Sequence, residues 1–197
     1  MKKTLIIIGV IVVLLLVFYS FFKNTYNNMV RLGEQVDAQW AQVENVYQRR
    51  ADLIPNLVNT VKGFAAQEQA VLIGVVEARA KATSVNLSAD NLTPENLQAF
   101  QEAQAGLSSA LSRLMVVVEK YPELKSDQNF LELQSQLEGT ENRIAVERMK
   151  YNDTTREYNS YIKSFPQNLL SGLFGFESKA YFESKPGADT APEVSFQ

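Results

Sequence analysis

The chain has 197 residues, with 19 Lys+Arg against 22 Asp+Glu, no His and no Cys, and a formal charge of −3. That length allows one domain, or one domain plus an appendage, and it suffices to bury a core. Without His and Cys the chain cannot build Ser-His-Asp or Cys-His catalysis, disulfides, or thiolate and imidazole metal sites. The acidic balance speaks against a nucleic-acid partner, which would call for a basic footprint.

Leu5 to Phe22 reads LIIIGVIVVLLLVFYSFF and carries no charge. As a helix these residues rise about 27 Å, close to the roughly 30 Å hydrocarbon core of a bilayer. A cleaved signal peptide would need small residues at its end, but Tyr19–Lys23 is bulky. The expectation is therefore an uncleaved signal anchor. Lys2 and Lys3 precede the span, which the positive-inside rule reads as a short cytoplasmic N-terminus with the rest of the chain outside. Removing those two from the 19 basic residues leaves 17 against 22 acidic ones, an outer charge of −5.

Beyond the span, Met29, Leu32, Val36, Trp40, Val43 and Tyr47 recur at three- and four-residue steps, the stripe of an amphipathic helix. Nothing between Phe22 and Arg31 breaks a helix, so the membrane helix is expected to continue outward. Pro55 removes a donor and disfavours helix at Ile54, which predicts a corner at Asp52–Pro55. A second outer helix then runs from Pro55 to about Ala82. Thr93-Pro94-Glu95 starts a third, with Thr as cap and Pro in the first position. It stops at Tyr121-Pro122. Ser126 and Asp127 open a fourth, which runs to about Ser164, before Pro166.

No hairpin signal occurs. The fold class expected is all-α: an N-terminal transmembrane helix followed by an antiparallel up-and-down four-helix bundle. The divisions are 1–4 as a cytoplasmic N-terminus, 5–22 as the membrane helix, 23–185 as the extracytoplasmic bundle and 186–197 as a flexible tail.

Two groups of residues invite a functional reading. Arg50 and Asp52 are expected to meet Glu138, Glu141 and Asn142 in a polar layer that sets helix register. Glu138 and Glu141 could alternatively hold a divalent cation through oxygen ligands, although no cofactor or metal is expected. Alanine at Arg50 or Asp52 is expected to cost about 1–3 kcal/mol if the layer is buried. The second group is Phe165, Leu169, Leu170, Leu173, Phe174 and Phe176. It is either a patch for a partner or membrane, or a flap folded over the open end of the bundle.

Several segments together resemble the LemA family. They are RRADLIPNLV at 49–58, KGFAAQEQAVL at 62–72, EARA at 77–80, LEGTENRIAVERMKYND at 137–153, YN at 158–159, FPQNLLSGLFGF at 165–176 and YFE at 181–183. The resemblance implies a single-pass bacterial membrane protein with an all-helical outer domain and no established enzyme activity. The function expected is a non-catalytic scaffold or interaction protein of the cell envelope. It would be held in the inner membrane through residues 5–22, with most of the chain periplasmic, as a homo-oligomer or with an envelope protein partner. The alternatives are a carboxylate-based cation or enzyme domain, and a membrane-remodelling protein using the C-terminal apolar segment.

Overall fold

The computed structural model describes residues 2–85 and 87–183, and the tail expected at 186–197 lies outside them. All regular structure among the described residues is helical. Helix α1 spans Lys2–Phe64, α2 Gln69–Ser84, α3 Pro94–Val118, α4 Pro122–Lys125, α5 Gln128–Lys163 and α6 Gln167–Phe174. A single 3-10 turn at Ala89–Asn91 lies in the connection from α2 to α3.

Helix α1 has 63 residues and is about 95 Å long at 1.5 Å per residue. Its first part is bare on every side: Leu5 to Tyr19 contains only exposed side chains. An apolar helix with no protein partner has lipid as its natural solvent. Burial begins at Thr25 and then follows the expected stripe from Met29 to Tyr47.

Helix α5 lies antiparallel along the outer part of α1 in fixed register. Tyr158 faces Gly33, its ring edge 3.7 Å from where a Cβ would stand. Tyr151 faces Trp40, with ring centroids 5.7 Å apart. Glu141 faces Arg50, with N···O 2.9 Å. Each advance along α1 is matched by an equal retreat along α5. Extending this register sets Gln128 opposite about residue 63 and Lys163 opposite about residue 28. Helix α2 packs on α3 and also returns along α1.

The corner expected at Asp52–Pro55 does not form there. Helix α1 runs straight through Pro55, and the turn comes at 65–68. A proline in a helix leaves the carbonyl four residues earlier without its donor. Here that carbonyl belongs to the buried Ala51, and Arg79 Nε on α2 donates to it at 2.7 Å. The missing backbone bond is thus replaced from another helix. The pyrrolidine itself is exposed, where it strains no packing. The true corner is clasped from the loop after α3. The Tyr121 hydroxyl donates to Glu68 (3.1 Å) and accepts from Gln67 (2.9 Å).

Two helix starts follow local chemistry. Thr93 Oγ1 accepts from the Asn96 amide, ahead of Pro94. Asp127 Oδ1 accepts from the Phe130 amide at 2.9 Å and opens α5. Both satisfy amides that have no partner within the helix.

The buried apolar residues form two clusters. The one nearer the apolar span gathers Trp40, Tyr47, Phe100, Tyr151, Tyr158 and Phe182 with aliphatic neighbours. The far one gathers Ile54, Leu57, Val75, Leu107, Leu114 and Phe130 with others. Arg50, the only charged residue among the buried ones described, lies between them along α1.

Candidate functional site

Arg50 is only 2% exposed, and two other helices supply its hydrogen-bond partners. Its guanidinium donates to Glu141 on α5 (2.9 Å), to Ser108 on α3 (3.2 Å) and to the side-chain oxygen of Gln104 on α3. Gln104 in turn donates to the Ala82 carbonyl of α2 at 3.2 Å. The guanidinium also stands 5.1 Å from the centroid of the Tyr47 ring. Among the described residues Nε of Arg50 has no partner. Glu141 keeps 58% of its side chain in solvent, which avoids full desolvation of the pair.

The other residues expected in this layer lie elsewhere. Asp52 is exposed and accepts from Gln48, four residues back on the same helix (2.8 Å). Glu138 is exposed and accepts from Gln134 (3.0 Å). Asn142 is exposed on α5. A helical row does not fix which residues turn inward, and only the α1–α5 register separates Glu141 from its neighbours. The inner partners Gln104 and Ser108 went unmarked in the sequence because they are uncharged residues without a distinguishing pattern. Among the described residues no group of three or more carboxylates converges as a cation site would require.

The C-terminal segment divides into two parts. At Gly175 the backbone takes φ 74°, a left-handed conformation that glycine adopts without penalty, and this ends α6. The chain then runs extended back along α5. Asn159 and Asn152 hold this strap by its backbone. Asn159 donates to the Lys179 carbonyl (2.8 Å) and accepts from the Lys179 amide (2.9 Å). Asn152 does the same with Phe182, at 2.9 Å for both bonds. Seven residues of helix rise about 10.5 Å, and three of extended chain about 10 Å, so the two clamps match in pitch. Lys179 also pairs with Asp37 of α1.

Phe182 fills the pocket at the end of the strap. Its ring stacks on Trp40 (6.0 Å), meets Tyr151 edge-on (5.3 Å) and lies under the Arg148 guanidinium (4.6 Å). The Tyr151 hydroxyl donates to the Ala180 carbonyl at 3.0 Å. Burial pushes the Tyr151 phenol up to about 12, and it also raises Tyr158 and Tyr47. The sequence did carry a signal for the clamps. Tyr-Asn occurs at 151–152 and again seven residues on at 158–159, each Tyr entering the core beside an Asn that grips the strap.

The six residues proposed as a patch split in the same way. Leu170 is buried, and Ser171 beside it donates to the Ile162 carbonyl (3.0 Å), which ties α6 to the end of α5. Phe174 and Phe176 meet the Tyr26 ring edge-on at 5.1 and 5.6 Å. Phe165, Leu169 and Leu173 remain 80%, 65% and 72% exposed.

The model of the LemA family matches residues 39–196. The chain belongs to the LemA family. It is 30% identical to the Magnetosome protein MamQ 1 of Paramagnetospirillum magneticum, over 84% of this chain and 67% of the relative. It is 27% identical to the Magnetosome protein MamQ of Magnetospirillum gryphiswaldense, over 94% and 74%. To the Protein LemA of Metamycoplasma hominis it is 20% identical, over 85% and 73%. In this LemA-family chain the matched region takes in both asparagine clamps, the buried arginine and the strap, while the apolar span precedes it.

Proposed function

We propose that this LemA-family chain is a single-pass, membrane-anchored scaffold of the bacterial cell envelope, acting through protein contacts rather than catalysis. The observation that carries the reading is the continuity of α1. One helix is apolar over Leu5–Phe22, bare from Leu5 to Tyr19, and without a break becomes the helix on which the rest of the head packs. Such a rod couples the head rigidly to its anchor. Lys2 and Lys3 support an orientation with the N-terminus in the cytoplasm and the head outside the inner membrane. The outer parts of α1, α2, α3 and α5 are read as a four-helix bundle whose register is set by the Arg50 layer.

Two of the relatives carry names that place them with the magnetosome. By transfer, this chain serves as a component of a larger assembly, either with itself or with an envelope protein. The cation-site alternative has little to build on, because Glu141 is engaged by Arg50 and Glu138 is bonded within its own helix. Crosslinking of the full chain in intact membranes should trap a homo-oligomer or one defined heteromeric species. A chain that stays monomeric and without a partner at native abundance refutes the scaffold. Protease added from the periplasmic side should digest the head; a protected head refutes the orientation.

A further inference from the structure

Helix α6 stands at a particular height above the apolar span. Phe174 and Phe176 rest on Tyr26, which is four residues, about 6 Å, beyond Phe22 along α1. The α1–α5 register sets the end of α5 opposite about residue 28, roughly 9 Å beyond Phe22. The headgroup layer of a bilayer occupies about 5–7 Å on each side of the hydrocarbon. With Leu5–Phe22 in the hydrocarbon, α6 and the turn before it fall in or just above this layer.

The chemistry of the segment agrees with its position. Residues 164–176, SFPQNLLSGLFGF, contain no charged side chain, in a chain that is 21% charged. Leu170 and Ser171 hold one side of α6 against the head, while Phe165, Leu169 and Leu173 are left bare beside it. A short amphipathic helix of this kind lies in the plane of an interface with its apolar side dipped toward the acyl chains. The segment itself has no basic residue, and with Lys163 just before it as the adjoining cation the contact relies mainly on apolar area. Tyr19, Phe21, Phe22 and Tyr26 continue the same belt on α1.

We propose that α6 with Phe165 is a second membrane attachment, lying in the headgroup layer of the leaflet from which α1 emerges, with the phospholipid interface as its ligand. The proposal rests on the reading of α1 as a membrane span. It goes beyond that reading by giving the head two points of contact with one bilayer. Two points fix the tilt of the rod and the face that the head turns toward its partners. Because the strap follows α6 directly, the clamps at Asn159 and Asn152 tie this attachment back into the core.

The absence of cysteine in the chain allows single labels. The full-length variants Leu169→Cys, Leu173→Cys, Leu14→Cys and Ile73→Cys are labelled with an environment-sensitive fluorophore and reconstituted at low density in phosphatidylcholine vesicles. Doxyl quenchers are placed either near the headgroup or deep in the acyl chain. Labels at 169 and 173 should lose most of their emission to the shallow quencher. The label at 14 should respond to the deep one, and the label at exposed Ile73, on α2 and far along the head, to neither. Quenching at 14 with none at 169 and 173 overturns the proposal and leaves the span reading standing. Self-quenching at 173 that rises with protein density, without lipid quenching, overturns it in favour of a second copy on the same face. No quenching at 14 removes the span and the proposal together.

Discussion

The bond from Arg79 to the Ala51 carbonyl can be tested as a replacement for the one that Pro55 removes. Ala51 is buried, so its carbonyl cannot turn to water if the guanidinium is lost. A hydrogen bond from a charged donor contributes about 1.5–3 kcal/mol. Arg79→Met keeps much of the aliphatic stem and removes the donor, and it should cost about 2 kcal/mol. For a domain of this size each kcal/mol moves the melting temperature by about 2–4 °C. In a Pro55→Ala background the new amide lies within reach of the Ala51 carbonyl and restores the helix bond. There Arg79→Met should cost only about 0.5–1 kcal/mol, a coupling of roughly 1–1.5 kcal/mol between two residues on different helices. The assay is a double-mutant cycle on the full chain in detergent, followed by far-UV circular dichroism against denaturant. If Arg79→Met costs the same in both backgrounds, the carbonyl is satisfied in some other way and the explanation of the unbroken helix is wrong.

Other consequences are as open to measurement. Burial favours the neutral Tyr151 phenol and raises its pKa from 10.0 to about 12, so its contribution is full below pH 10 and is lost as pH rises from 10 towards 12. Tyr151→Phe should lower stability by about 0.5–1.5 kcal/mol at neutral pH and flatten the alkaline fall, as read from denaturation midpoints across that window. An equally steep fall in the variant would deny Tyr151 this role. Asn152→Ala and Asn159→Ala each remove two backbone bonds to the strap, and each should cost about 1–3 kcal/mol. Amide exchange at Phe182 should quicken in the first and at Lys179 in the second; unchanged protection would show that the strap holds without its clamps. Arg50→Met should cost about 2–3 kcal/mol, less than a fully buried pair because Glu141 is half in water. Asp52→Ala should stay within about 0.5 kcal/mol, since it breaks only an exposed bond within one helix. Equal losses in the two variants would contradict the geometry.

What the amino-acid sequence determined alone is whatever depends on neighbours along the chain. Leu5–Phe22 is long and apolar enough to span a bilayer whatever the head does, because that is a matter of length and composition. Thr93 and Asp127 open their helices through bonds to amides three residues on, and the stripe from Met29 to Tyr47 marks one face of a helix without reference to its partner. Pro55 was legible as a residue that breaks a helix bond, but whether the helix ends there depends on Arg79, which the fold brings in from α2. The corner at 65–68 follows from the matched lengths of α5 and the outer part of α1, together with the clasp from Tyr121. Equally, the row holding Glu138, Glu141 and Asn142 could not name the partner of Arg50, since a rotation of α5 by one residue would have chosen another. The strap lies furthest from sequence reasoning. Its extended backbone has no periodicity of its own, and its conformation comes from two asparagines whose pitch on α5 matches the rise of an extended chain. Local bonding and solvent preference act within a turn or two and can be read along the chain, whereas the choice among equivalent partners is made only when distant surfaces are packed together.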